Sequence, residues 1–193
     1  MLYRICRFLL LVIYNVIFRL EAVGKENIPA EGPVVLASNH LSNFDPPTVG
    51  IKLKRKVHYM AKQELFDVPV FGPLIRELGA FPVKRGGVSK EAIRSAIGLL
   101  QQGEVMGIFP EGTRNSAEGA AAKKGAAMIT MRSGATVVPV AIIGSYKPFR
   151  KMKIIYGKPV DLTAFIDDSS PDMLERVTEA IMVRIRQMIK ENQ

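Results

Sequence analysis

Short apolar, β-branched runs alternate with helix-period stretches along nearly the whole chain, and that alternation restricts the fold more than any other feature. The runs Pro33–Ala37, Val57–Met60, Ala80–Val83, Val105–Phe109, Thr136–Ile143 and Lys153–Tyr156 read as strands, and Phe18–Gly24 alternates like a first one. Between and after them, helices are expected from about Pro46 to Leu53, Val70 to Leu78, Ser89 to Gln102, Lys123 to Arg132 and Pro171 to Lys190. The 89–102 segment puts Ala92, Ile93, Ala96, Ile97 and Leu100 on one face, and the last helix repeats Leu174, Val177, Ile181, Ile185 and Met188 at three and four. Such an order predicts an α/β fold: a single domain with a largely parallel central sheet flanked by helices. At 193 residues the chain suits one core, and no repeat, low-complexity segment or linker marks a second domain.

The N-terminus departs from this pattern. Ile5 to Phe18 is almost wholly apolar, interrupted by Arg7 and Asn15 and flanked by Arg4 and Arg19. As a helix it would span roughly 21 Å, short of the ~30 Å hydrocarbon core of a bilayer. No small-residue cleavage site follows, which argues against a signal peptide. Residues 1–18 are therefore expected to form an apolar, membrane-interfacial helix with arginines at the headgroups, ahead of a domain covering 19–193.

A formal charge of +9 favours anionic partners. The run Lys52-Leu53-Lys54-Arg55-Lys56 suits either a solvated face or a surface toward anionic lipid or an acidic donor. Nucleic acid is disfavoured, because Trp is absent and most Phe and Tyr lie in apolar runs. Cys6 is the only cysteine, so no internal disulfide can form. With two histidines and neither pair nor cluster at ligand spacing, no metal is expected, and His58 reads as structural. There is no P-loop and no G-x-S-x-G elbow.

Polar residues gather after three of the apolar runs. Asn39, His40 and Asp45 follow the first; Lys84, Arg85 and two glycines follow Ala80–Val83; Glu111, Gly112, Thr113 and Arg114 follow Val105–Pro110. Ligands of open α/β sheets bind outside the carboxyl ends of strands, so parallel neighbours would bring the three clusters to one site. On a continuous helix, positions 40 and 45 would point about 140° apart, so His40 and Asp45 can meet only across a bend. Asp45 before Pro46 suits a helix N-cap and also an orienter of the imidazole, and those roles compete for its oxygens.

These residues carry a pattern. NHLSNFD (Asn39 to Asp45), GAFPVKR (Gly79 to Arg85), FPEGTRN (Phe109 to Asn115) and the apolar VVPVAIIG (Val137 to Gly144) stand in that order, and from about Leu20 to Gly144 the sequence resembles the glycerolipid acyltransferase family, most of all its bacterial members that acylate lysophosphatidic acid. Lys84, where an acidic residue is common, and Asn115, where serine is usual, depart from the pattern. The resemblance implies transfer of an acyl group from acyl-CoA or acyl carrier protein, as co-substrate and with no cofactor, to the hydroxyl of 1-acylglycerol 3-phosphate, giving phosphatidic acid at the cytoplasmic face of the cell membrane. It implies His40 as general base oriented by Asp45, with Arg85, Glu111, Gly112, Thr113 and Arg114 on the acceptor and Asn39, Lys84 and Pro139 in support. The alternatives are the same chemistry on another lysolipid or on glycerol 3-phosphate, and a non-enzymatic basic module that binds anionic lipid. Donor, chain-length preference, depth of the first helix and oligomeric state are not legible in the residues.

Overall fold

The structure, a computed structural model, describes residues 2–83, 90–111 and 116–192. In chain order the elements are α1 (Leu2–Val16), β1 (Glu21–Val23), β2 (Val34–Ser38), α2 (Asp45–Gly50), β3 (Val57–Lys62), α3 (Phe71–Glu77) and β4 (Ala80–Val83). There follow α4 (Lys90–Gln101), β5 (Val105–Ile108), α5 (Ser116–Ser133), β6 (Thr136–Ile143), β7 (Lys153–Tyr156) and α6 (Met173–Lys190). Among the described residues seven strands form one sheet in the order β1-β7-β6-β2-β5-β3-β4.

The expected parallel sheet is present from β6 through β4, with Val34 of β2 level with Val105 of β5 on one side and with Thr136 of β6 on the other. β7 runs against β6, and β1 runs parallel to β7. Only nine residues separate Ile143 from Lys153, too few for the crossover that a parallel return needs. α5 begins seven positions before the expected Lys123, because the stretch from Ser116 to Ala122 holds four alanines and a glutamate, good helix formers that offset Gly119, but no large apolar residue for periodicity to register.

β2 is the centre of the molecule. All five of its residues are buried, and the pleat sends Val34 and Leu36 to one face and Val35 and Ala37 to the other. The first face packs on α1 and α2 through Tyr14, Phe18, Val49, Ile51 and Leu53. The second packs on α4, α5 and α6 through Ala96, Leu100, Ile129, Val177, Ile181 and Ile185. Each large aliphatic buried this way contributes about 1.5–3 kcal/mol, and removing β2 side chains would cost both layers at once. On the first face the Tyr59 ring lies across the adjacent strand at Gly107, where a Cβ would fall 2.1 Å from the ring. Glycine is required there by close approach.

α1 has two apolar sides with different fates. Leu10, Leu11 and Tyr14, with Ile17 and Phe18 just beyond the helix, pack into the core, while Ile5, Phe8, Leu9, Val12, Ile13 and Val16 form an exposed stripe at three- and four-residue spacing. The polar interruptions face the domain: an Arg7 guanidinium nitrogen donates to the Leu53 carbonyl, and the Lys52 ammonium donates to Asn15 Oδ1. Arg7 thus makes a docking contact between this helix and the domain. The basic run 52–56 is likewise largely engaged. Arg55 donates to the carbonyls of Pro29, Gly32 and Gly103, and Lys56 to that of Glu77. No helix among the described residues is long and apolar enough to cross a membrane.

Candidate active site

β2 ends at Ser38, and the chain turns sharply before α2. Asn39 pins that exit to the neighbouring strand: its Nδ2 donates to the Ile142 carbonyl at 3.0 Å, and its Oδ1 accepts from the Ile142 N–H at 2.8 Å. The side chain thereby replaces a peptide unit of the ladder, and His40, the next residue, starts its loop from a fixed point.

The bend brings His40 and Asp45 together. His40 Nδ1 lies 2.7 Å from Asp45 Oδ2, and the same oxygen accepts the backbone N–H groups of Leu41 at 2.6 Å and Ser42 at 2.7 Å. Asp45 sits in the first turn of α2 but makes no side-chain cap to it, and Phe44 occupies the cap position. The expected N-cap role is corrected accordingly: the carboxylate closes the loop before it, because the Leu41 and Ser42 amides lie inside the bend with the imidazole. With Asp45 fully buried and accepting at Nδ1–H, the neutral His40 ring presents an unprotonated Nε2. The ring also stacks on Phe109, just past β5, with centroids 4.3 Å apart. Carboxylate and aromatic face together fix its orientation.

The second carboxylate oxygen has its own partner. The Tyr146 hydroxyl donates to Asp45 Oδ1 at 2.6 Å and lies 2.7 Å from Thr48 Oγ1. Burial, then the Asp45 carboxylate, pushes the Tyr146 phenol far up, so it remains a donor across the physiological range. Tyr14 is pushed up to about 12, chiefly by burial, and its hydroxyl donates to the Phe44 carbonyl at 2.9 Å. Neither tyrosine was singled out by the sequence, and no local spacing signals them: Tyr146 is 101 positions from Asp45. Only the β2–β6 pairing brings it there.

The other expected site residues divide as follows. Glu111 is exposed in the turn two residues after Phe109, whose ring stacks on His40. Pro139 lies buried within β6 opposite Ala37, its carbonyl accepting the Gly157 N–H at 2.8 Å. Lys84, Arg85, Gly112, Thr113 and Arg114 lie outside the described residues. β4, which leads to Arg85, ends at the same edge as β2 but is not next to β5 as a simple shared-neighbour arrangement would have it; β3 lies between them. At about 4.8 Å per strand the ends of β4 and β2 are roughly 14 Å apart. His58 is held by the Gly79 carbonyl at 3.1 Å and by Glu104 at 3.6 Å, the structural role expected of it. Among the described residues no group of three His, Cys, Asp or Glu side chains could hold a metal ion.

A histidine held by a buried carboxylate through Nδ1, which leaves Nε2 of the neutral ring as the nitrogen that can accept a proton, is the arrangement of a general base. The family model described as Acyltransferase matches residues 19–143. The chain is 36% identical to the 1-acyl-sn-glycerol-3-phosphate acyltransferase of Bacillus subtilis, over 97% of this chain and 96% of that one. It is 29% identical to the enzyme of that name from Streptococcus pneumoniae, covering 81% of this chain and 61% of the relative. Among solved structures, the 1-acyl-sn-glycerophosphate (LPA) acyltransferase of Thermotoga maritima superposes with a TM-score of 0.67 at 27% identity, over 90% of this chain and 72% of that one. The chain belongs to the acyltransferase family.

Proposed function

We propose that the protein transfers an acyl group from an acyl thioester to the free hydroxyl of 1-acylglycerol 3-phosphate, giving phosphatidic acid for phospholipid synthesis. The observation that carries this reading is the 2.7 Å contact between His40 Nδ1 and Asp45 Oδ2, in a chain related along nearly its whole length to an enzyme named for that reaction.

His40 Nε2 takes the proton of the acceptor hydroxyl as its oxygen attacks the thioester carbonyl. Positive charge then develops on the ring, and the buried Asp45 carboxylate stabilises it. The tetrahedral intermediate collapses by breaking the C–S bond. A thiol with a pKa near about 8.5 leaves with little protonation help, so the proton can stay on His40 and pass to solvent or thiolate. No covalent enzyme intermediate, cofactor or metal enters this scheme; acyl-CoA or acyl carrier protein is the co-substrate.

Arg85 and Arg114 pair with the acceptor phosphate, Lys84 adds charge beside them, and Glu111 with Gly112 and Thr113 receives the glycerol portion. The common edge of β2, β5 and β4 supports this grouping. The outward stripe of α1 seats the protein peripherally on the cytoplasmic face of the membrane, its apolar side chains in the acyl boundary and Arg4 near anionic headgroups. The test is a matrix of acyl-CoA and acyl carrier protein against lysophosphatidic acid, other lysolipids and glycerol 3-phosphate, read by mass spectrometry of the product. Phosphatidic acid from lysophosphatidic acid is expected at the highest kcat/KM, and Arg85→Ala is expected to raise the acceptor KM. A preference for a neutral acceptor would contradict the reading.

A further inference from the structure

Asp45 carries the orientation of His40, yet only one of its oxygens touches the ring. Rotation of the carboxylate about its own bond would break all three contacts on Oδ2 together. What opposes that rotation is the group on Oδ1, the Tyr146 hydroxyl.

The protons around Tyr146 can be counted. Its single proton must go to Asp45 Oδ1, because a carboxylate only accepts. The Phe44 carbonyl already receives the Tyr14 hydroxyl at 2.9 Å and the Thr48 N–H at 3.2 Å, which fill its two lone pairs, and Thr48 Oγ1 lies 2.8 Å from it as a third candidate. With its proton committed to Asp45, Tyr146 can only accept at its 2.7 Å contact with Thr48 Oγ1, so the Thr48 proton is directed there rather than along the competing 2.8 Å contact with the Phe44 carbonyl, which gives a relay running Thr48 to Tyr146 to Asp45 to His40. A donor that itself receives a hydrogen bond is polarised and holds its acceptor more firmly.

The Tyr146 ring is fixed from the other side. It meets the Phe18 ring edge-on with centroids 5.5 Å apart and the Phe44 ring at 5.5 Å; Phe18 in turn meets Tyr14 edge-on at 5.4 Å. Tyr14 lies on α1 and Phe18 just after it, and both are buried. The outer face of the same helix is the exposed apolar stripe. One helix therefore bears the surface stripe on one side and backs the dyad's support on the other.

We infer that Tyr146 is a positioning residue for acyl transfer: its hydroxyl locks Asp45 so that Oδ2 stays aimed at His40, and the packing of Tyr14 and Phe18 makes this lock depend on the docking of α1. The inference rests on the reading of His40 as the base. His40, Tyr146 and Tyr14 are the titratable groups facing Asp45 among the described residues. Loss of the Tyr146 donor leaves the carboxylate with less hydrogen-bond stabilisation, so it attracts the protonated ring more strongly.

The experiment uses the full chain with lysophosphatidic acid and acyl-CoA in mixed micelles of fixed composition. Tyr146→Phe, which keeps the ring packing, should lower kcat about tenfold, the worth of one good hydrogen bond, with both KM values within about twofold. The acid limb of its kcat profile should move to higher pH. Thr48→Val, similar in shape but unable to donate to Tyr146, and Phe18→Leu, which removes the edge contact, should show the same pattern at about threefold. An unmoved acid limb in Tyr146→Phe and Thr48→Val overturns the assignment, whether kcat is wild-type or falls only with the folded fraction seen by near-UV circular dichroism. If Tyr146→Phe does not fold, Thr48→Val decides on the same criteria. His40→Ala assayed in parallel separates the two levels: activity there sinks the base itself, whereas an inactive His40→Ala beside a wild-type Tyr146→Phe sinks only the positioning role.

Discussion

Tyr146 and His40 hold opposite oxygens of the same buried carboxylate: the hydroxyl lies 2.6 Å from Asp45 Oδ1 and the imidazole Nδ1 lies 2.7 Å from Oδ2. Asp45 is fully buried, so its charge is stabilised by these donors and by the Leu41 and Ser42 amides rather than by water. Asp45→Asn should keep the loop, since an amide oxygen still accepts two N–H groups, but should lose the charge that stabilises the imidazolium. Turnover is expected to fall on the order of 10²–10⁴-fold at unchanged acceptor affinity, measured by steady-state kinetics and equilibrium binding. Near wild-type kcat would mean that the carboxylate has only a structural duty.

Asn39 tests the scaffold beneath the dyad. Asn39→Ala leaves the Ile142 N–H and C=O unpaired in a buried strand end, so a loss of about 2–3 kcal/mol is expected in urea unfolding, with a parallel drop in kcat as the His40 loop loosens. An unaltered midpoint would show that water replaces the side chain at no cost.

Much of this architecture is legible in the residues and some is not, for definite reasons. β2, β6 and β7 are marked by β-branched runs flanked by turn residues, and the His40–Asp45 pair is legible because a five-residue spacing needs a bend that Ser42 and Asn43 supply. The direction of β7 is not, since a strand's own pattern is the same whether it runs with or against its neighbour. The inner face of α1 is hidden for a related reason: with both faces apolar, periodicity cannot say that Tyr14 points in and Phe8 out. Tyr146 is invisible until β6 is known to lie beside β2. The proposed phosphate ligands Arg85 and Arg114 rest on motif resemblance.

Close packing at the sheet gives a third prediction. Gly107→Ala would place a methyl group 2.1 Å from the Tyr59 ring, forcing that side chain or the β3–β5 pairing to move. A destabilisation of about 1–3 kcal/mol is expected by thermal or chemical unfolding. Unchanged stability would require the Tyr59 ring to reorient freely.

His58 supplies a pH dependence whose direction is fixed by its surroundings. Burial, then Lys56, lowers its pKa in the folded protein, against the opposing pull of Glu104 and the Gly79 carbonyl. The unfolded chain, with a histidine pKa near about 6.5, then binds the proton more readily. The stability this adds is present above that value and is lost as pH falls through it toward the folded value. Wild type should lose more Tm than His58→Gln on going from about pH 7.5 to about pH 5. Equal losses would show that His58 does not contribute.

The α1 stripe can be tested without removing its inner face. Phe8→Glu and Val12→Lys change exposed side chains only and should reduce sedimentation with anionic vesicles by about tenfold, given ~0.8 kcal/mol per buried methylene, while leaving circular dichroism unchanged. Full vesicle binding by the double variant would assign membrane contact to another surface.

The most direct measurement of the central claim is thiol release from acyl-CoA in the presence of lysophosphatidic acid by wild type and His40→Ala at equal folded concentration. The account predicts turnover for wild type and a loss of about 10²–10⁴-fold for His40→Ala, the range of a removed general base. Wild-type turnover by His40→Ala would contradict it.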